Sequence, residues 1–392
     1  MNNLSASPAQ IPPPAPIPLS VVQPSPLSHT YQSRGLKTPD PSSWPKPKPI
    51  LGGHREPVQC VSWSLDGRKL VSSSTGGDRG LRIWDAGSSG STLDPRHSDL
   101  IPSPHASTAP ISKVQWNPYH LTELVSSGST GDGKLCFFDA RLKPIKPLST
   151  ISLPTPAFQI DHHPSGDVLA VSDIKEHVSF FERRMMGSQK PVATLNPNSS
   201  SVEVAPPPPP QPVVQRPSWE SSTDRTFPAP SAGAAIEIIF DIGFSSSGQD
   251  FLLCSRGGKV YVRSWASLLS SESESAKAPT YEWKAQTGSC DSIGIEKTGR
   301  YLATAGVDAI VNLWDADDYV GLKSFGDVQG EVRQLSFSQD GEMLAAGGEE
   351  SVVYIFGTTE RSLLAKIPTG GVTNALAWSP KHDGCDISFD HV

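Results

Sequence analysis

One unit recurs along this chain and constrains its fold more than any other feature. VQCVSWSLDGRKLVSSS at 58–74, SKVQWNPYHLTELVSSG at 112–128, FQIDHHPSGDVLAVSD at 158–173, IFDIGFSSSGQDFLLCS at 239–255, DSIGIEKTGRYLATAG at 291–306, VRQLSFSQDGEMLAAGG at 332–348 and TNALAWSPKHDGCDIS at 373–388 share one pattern. Each reads as a short apolar strand, a polar turn that usually holds Gly, and a second apolar strand. The anchors closing the first strands are Trp63, Trp116, His162, Phe244, Ile295, Phe337 and Trp378, spaced 53, 46, 82, 51, 42 and 41 residues apart. Six units continue into a third strand near an aromatic: LRIWD at 81–85, LCFFD at 135–139, VSFFE at 178–182, VYVRSW at 260–265, VNLWD at 311–315 and VVYIF at 352–356.

A repeat of about 40–50 residues with four strands per unit is the signature of a β-propeller of the WD type. The expected fold is all-β, a seven-bladed WD40 β-propeller over residues 50–392. Period-2 alternation places the aromatic and aliphatic side chains between neighbouring blades. The interval of 82 is explained by an insert at 187–235, Pro-rich with five consecutive prolines at 206–210. Residues 1–49 have the same Pro/Ser character, and neither stretch carries the apolar periodicity that would offset its ordering entropy. Both are expected to be disordered tethers. The chain has 38 prolines, and 36% of its residues are hydrophobic.

GSTGDGKL at 128–135 has the spacing of a phosphate-binding loop, with Gly128, Gly133 and Lys134 in place. That chemistry needs a following helix N-terminus and a hydroxyl after the Lys to hold Mg²⁺. Leu135 stands there instead, LCFFD is a strand, and STGGDRGL occupies the same place one unit earlier, so this is a strand-to-strand turn. Asp161-His162-His163 is similar to the DHH run of metal-dependent phosphoesterases, but neighbours on a strand face opposite ways and at most Asp161 and His163 share a face. Asp78, Asp132, Asp173 and Asp308 each precede a third strand, where an aspartate accepts bonds from backbone N–H groups and from a His at the blade entrance. Only the first unit, through Gly53-His54, shows both halves, and only Trp84-Asp85 and Trp314-Asp315 are WD dipeptides. Cys60, Cys136, Cys254, Cys290 and Cys385 form no C-x-x-C and read as reduced core residues. No nucleophile–base or paired-carboxylate spacing recurs, so no catalytic residue, cofactor or metal site is expected.

The net charge of −7 opposes generic phosphate-backbone binding. WPKPKP at 44–49 is too short for a basic patch. The N-terminus lacks a basic n-region and a proline-free apolar core, and no apolar run spans a bilayer. These features predict a soluble intracellular protein without membrane contact.

The order of the units resembles a particular family. GSCDSIGIEKTGRYLATAGVDAIVNLWDADDYV, then GEVRQLSFSQDGEMLAAGGEESVVYIF and TNALAWSPK, within Tyr281 to Pro380, resemble the THO complex subunit 3 family. VQCVSWSLDGRKLVSSS is similar to that family's first blade, IDHHPSGDVLAVSDIKEHVSFFERR to its third, and FLLCSRGGKVYV to its fourth. The resemblance covers most of 52–380. It implies a nuclear, non-enzymatic scaffold in an assembly that joins an RNA helicase and an export adaptor as TREX and packages nascent mRNA for export. Its partners would be other THO/TREX subunits, with RNA touched weakly or indirectly and no small-molecule substrate.

The insert at 187–235 and the loop at 86–110 depart from the family pattern and suggest elaboration. After Trp378 only CDISFDHV follows, so a frayed seventh blade and imperfect ring closure are expected. The blade pattern places the turns before the third strands on one face, with charged partner-binding candidates Glu56, Arg79, Lys113, Glu237, Arg256, Glu331, Arg333 and Glu349. Their mixed sign favours a protein partner over RNA, and Arg256 and Arg333 are the expected anchors because Arg is enriched among interface hot spots. Two other readings are a WD module serving a ubiquitin ligase or chromatin, and an enzyme whose loops converge on the channel.

Overall fold

A computed structural model of the chain describes residues 53–391 apart from 75–79, 87–92, 94–97, 102–104, 106–110, 129–131, 174–176, 186–189, 196–237, 270–278 and 381–386. The segment 1–49 and most of the 187–235 insert lie outside the described residues.

The first strands of the seven repeats are β1 (Val58–Trp63), β5 (Ile111–Trp116), β9 (Ala157–His162), β13 (Ile239–Phe244), β17 (Cys290–Ile295), β21 (Val332–Phe337) and β25 (Thr373–Trp378). Each packs against the next, and β25 packs against both β21 and β1, so these strands form a closed inner circle. From each of the first six, three further strands run outward in antiparallel order, giving six four-stranded blades. The first is β1 with β2 (Lys69–Ser74), β3 (Leu81–Asp85) and β4 (Ser98–Ile101).

The seventh repeat departs from the expected count. Its sheet has two strands, β25 and β26 (Ile387–His391), so the molecule has six complete blades among the described residues rather than seven. Ring closure depends on the inner strands and is met chiefly by β25, with β26 also packed against β1. Two stretches read as elaboration also contribute to blades. β4 and His105 come from the 86–110 loop, and β12 (Ala193–Leu195), the outer strand of the third blade, lies inside the stretch assigned to the insert. Both strands are short and polar-flanked, which hides their periodicity.

Apolar seams between blades hold the circle. Between the fifth and sixth blades Val311, Leu313, Phe325, Leu344 and Phe356 form one buried cluster, with the Phe325 and Phe356 rings stacked 4.4 Å apart. Fully burying one such side chain contributes about 1.5–3 kcal/mol. Polar side chains on the inner strands stitch the same seams. Ser62 Oγ accepts from the Trp116 N–H (3.0 Å), and Gln115 donates to Asp161 (2.8 Å). Asp161 also accepts from the Phe244 N–H (2.9 Å), and Asp241 accepts from that of Ile293 (3.0 Å). Ser292 accepts from the Leu335 N–H (3.2 Å) and Ser336 from the Trp378 N–H (3.1 Å). Burial pushes the Asp161 carboxyl up to about 6 and raises that of Asp241.

A register shift near the start of β1, β5, β13, β17 and β21 leaves the second residue of each strand outside the ladder. Bulges of this kind re-aim a side chain. Arg333 and Asp291 occupy that position.

Candidate partner-binding surfaces

The turn between the second and third strands of each blade and the loop entering its first strand lie at one end of the propeller, here the top. The structure ties these two segments together with a polar bracket. In the first blade Trp84 Nε1 donates to Ser72 Oγ (2.7 Å), and Ser72 is bonded to His54 Nε2 (2.6 Å). The aspartate expected to complete it, Asp78, lies outside the described residues.

The second blade corrects the expectation that only the first has both halves. His105 Nδ1 lies 2.6 Å from Asp132 and its Nε2 lies 2.8 Å from Ser126 Oγ. A carboxylate only accepts, so Nδ1 carries the proton and the Ser126 hydroxyl donates to Nε2. Burial is the main cause holding the His105 imidazole below its ordinary range, which keeps it neutral. His105 escaped the sequence reading because it sits in an irregular loop, where neither periodicity nor a Gly-His pair marks it. These three residues are a serine, a histidine and an aspartate in hydrogen-bonded order. Ser126 has no solvent exposure, however, and both His105 and Asp132 side chains are 1% exposed, so the trio is packed away from solvent.

Other blades use substitutes. In the fifth, Gln286 Nε2 and Trp314 Nε1 both donate to Thr304 Oγ1 (3.1 and 2.9 Å), while Asp308 accepts from the backbone and hydroxyl of Thr287 (2.7 and 2.9 Å). In the third, Asp173 accepts from the Thr155 hydroxyl and the His177 N–H. In the sixth, Glu350 takes the aspartate's place and accepts from the Gln329 N–H (3.2 Å) and the Tyr354 hydroxyl (2.5 Å). The brackets fix the top-face loops. Gly258, in the fourth blade's turn, serves the same end: at φ +73 a Cβ there would stand 2.1 Å from the Gly288 carbonyl oxygen.

Three motifs resolve as structure. Gly128 ends one strand (Glu123–Gly128) and Lys134 begins the next (Lys134–Asp139), so the phosphate-loop spacing joins two strands. The DHH run splits: Asp161 and His162 both bond to the Gln115 side chain, accepting from its Nε2 (2.8 Å) and donating to its Oε1 (3.0 Å), while His163 donates to the Gly248 carbonyl (3.1 Å). Among the described residues no group of three or more His, Cys, Asp or Glu is placed to hold a metal ion. Cys136, Cys254 and Cys290 are buried thiols in no disulfide, and burial pushes Cys136 up to about 11; Cys385 lies outside the described residues.

The described top-face candidates fall on four blades. Arg79 and Glu237 lie outside the described residues. Glu56 is exposed on the first blade, Lys113 is half-buried on the second, and Arg256 is exposed on the fourth. Glu331, Arg333 and Glu349 come together on the sixth. Arg333 Nε donates to Glu331 (3.2 Å), and the Glu349 N–H bonds to the Glu331 carbonyl (2.9 Å). The sixth blade is mainly acidic. Burial is the main cause raising Asp291, with Glu331 and Asp308 adding to it and Arg333 opposing. Opposite signs therefore meet on the sixth blade, where Arg333 is paired with Glu331.

The bladed circle and its polar brackets define a WD40-repeat β-propeller. In agreement, the WD40 family (WD domain, G-beta repeat) matches residues 45–85, 277–315 and 322–356, the first, fifth and sixth repeats. THO complex subunit 3 of Arabidopsis thaliana is 26% identical over 331 residues, covering 84% of this chain and 86% of that protein. Protein NEDD1 of Mus musculus is 27% identical over 158 residues, 40% of this chain and 21% of that protein. Cell division cycle 20.5, cofactor of APC complex, of Arabidopsis thaliana is 34% identical over 87 residues, 22% of this chain and 18% of that protein. The similarity to THO complex subunit 3 thus extends over most of the chain, and it supports the resemblance read from the blade order. Among the described residues no helix is long and apolar enough to cross a membrane.

Proposed function

We propose that this protein is a nuclear, non-enzymatic scaffold subunit of a THO/TREX-like complex that couples transcription to mRNA processing and nuclear export. The observation that carries this reading is the extent of the match to THO complex subunit 3, which runs through both proteins nearly end to end. A shared repeat alone would align a few blades, as the matches to NEDD1 and the APC cofactor do. A propeller presents rigid loops at both ends, and the buried Ser126, His105 and Asp132 offer no reaction site. Its partners are other THO subunits, and RNA is touched weakly or through them. Arg256 and Arg333 are the top-face anchors in this reading, on blades four and six.

The test is purification of the tagged protein from nuclease-treated nuclear extract, with mass spectrometry of what remains bound. The reading predicts stoichiometric large THO subunits. Ligase or chromatin components in their place would instead favour an adaptor of the kind suggested by the partial APC-cofactor match.

A further inference from the structure

The end of the propeller opposite the brackets holds a second surface. In the second blade the turn after β5 and the turn between the blade's third and fourth strands lie side by side, because the Ala140 N–H donates to the Thr122 carbonyl at 2.8 Å. Four large apolar side chains stand out from these two turns: Tyr119 and Leu121 on one, Leu142 and Leu148 on the other, between 47% and 63% exposed. The second turn is held rigidly, with the Leu142 N–H bonded to the Asp139 carbonyl and the Leu148 N–H to that of Phe137 (2.7 Å). Soluble proteins seldom leave several large apolar groups together on an ordered turn unless something covers them.

Charge says what covers them. Arg141, Lys143 and Lys146 are exposed on the same turn. The nearby carboxylates are already engaged: Asp139 by Arg141 (2.5 Å), Glu123 by Arg183 (2.5 Å) and Asp99 by Lys143 (3.0 Å). The same pairs also engage Arg141, Lys143 and Arg183, so with Lys146 the four cations named outnumber the three carboxylates and leave a small positive excess beside the apolar side chains, on a chain whose net charge is −7. The chain's own N-terminal segment is a poor match. Residues 1–52 contain Asp40 as their one acid, against Arg34, Lys37, Lys46 and Lys48.

We propose that this bottom edge of the second blade docks an acidic, apolar segment of a partner protein, with Leu and Phe side chains seated on Tyr119, Leu121, Leu142 and Leu148 and carboxylates at Lys143 and Lys146. The inference rests on the scaffold reading only in requiring a protein partner. It places that contact on the face opposite Arg256 and Arg333.

The probe is a synthetic peptide alternating Glu or Asp with Leu and Phe, its binding to the full chain followed by fluorescence anisotropy, beside a counterpart with Lys at every acidic position. The acidic peptide binds, and weakens as salt is raised. L142D/L148D and K143E/K146E each lower its affinity by about tenfold or more, whereas R256A/R333A leaves it unchanged. Exposed substitutions keep the melting temperature, so lost binding is not lost folding. Equal binding by these variants, or equal binding of the Lys peptide, overturns the proposal. Lysine cross-links from Lys143 or Lys146 to Lys46 or Lys48 of the same chain, in place of a partner, also overturn it. If THO subunits co-purify equally with wild type and K143E/K146E, the docking surface falls and the scaffold reading stands. If the peptide binds as described but no THO subunit is recovered, the scaffold reading falls alone.

Discussion

In blade two a histidine, a serine and an aspartate link the incoming loop to the second strand and the turn beyond it; in blade five a glutamine, a threonine and an aspartate make corresponding links. The third strands differ as well, with Phe138 fully buried in blade two where Trp314 stands half-buried in blade five and donates to Thr304. What is maintained is the set of bonds satisfied, because a loop crossing the top of a blade needs its polar groups paired wherever water is excluded. What varies is how deeply the bracket is buried, and whether it carries a group that titrates.

The largest effect expected from this contrast is in packing. F138A removes a ring that is 1% exposed and costs about 3–5 kcal/mol, whereas W314A costs less because the indole is half-exposed. Urea unfolding of the two variants checks the order, and equal losses would place blade stability outside the seams. Next come the acids. D132A leaves the buried His105 N–H without an acceptor and costs about 2–3 kcal/mol, while D308A, at a bracket open to solvent, costs about 1 kcal/mol.

The pH dependence rests on the buried histidines of blades two and three. His105 and His163 are held below their ordinary range mainly by burial, and burial pushes His162 down to about 3. The folded state therefore binds fewer protons than the unfolded chain. Stability from these groups is fully present above the unfolded value of about 6.5 and is lost as the pH falls below it. At pH 5 the His162 share is about 2 kcal/mol, and Asp161, raised to about 6, opposes it by about 1 kcal/mol. H105Q, which gives blade two the residue type blade five uses, lowers stability at neutral pH but flattens its decline between pH 7 and 5. Melting curves across that range check it, and an unchanged slope would remove His105 from the account. The smallest effect is that of R256A/R333A, within about 0.5 kcal/mol of wild-type stability, with partner recovery reduced.

The fold was legible because each repeat writes its first two strands in apolar residues around a polar turn that usually holds glycine. Trp63, Phe337 and Trp378 mark inner strands that the structure places on one circle. The outer strands were harder to see: β4 and β12 are three or four residues long and take their order from pairing with the strand inside them, which leaves little trace in composition. The brackets were half legible. The aspartates announce themselves in their turns, but their partners His105, Thr155 and Thr287 sit in loops, as does Gln329, the partner of Glu350, and only folding brings them within bonding distance. The charge pattern was least legible, because Asp308, Glu331 and Arg333 come within electrostatic reach of Asp291 only when blades five and six stand side by side. The bottom patch on blade two was hidden for the same reason, its two turns being separated by a whole strand pair.

The most direct test of the central claim is co-expression of the full chain with the large THO subunits, followed by nuclease treatment and gel filtration. A scaffold subunit elutes with them as one stoichiometric species, and R256A/R333A or K143E/K146E shifts part of it to the free fraction. A propeller that elutes alone at every salt concentration, folded and unaltered by its supposed partners, would contradict the account.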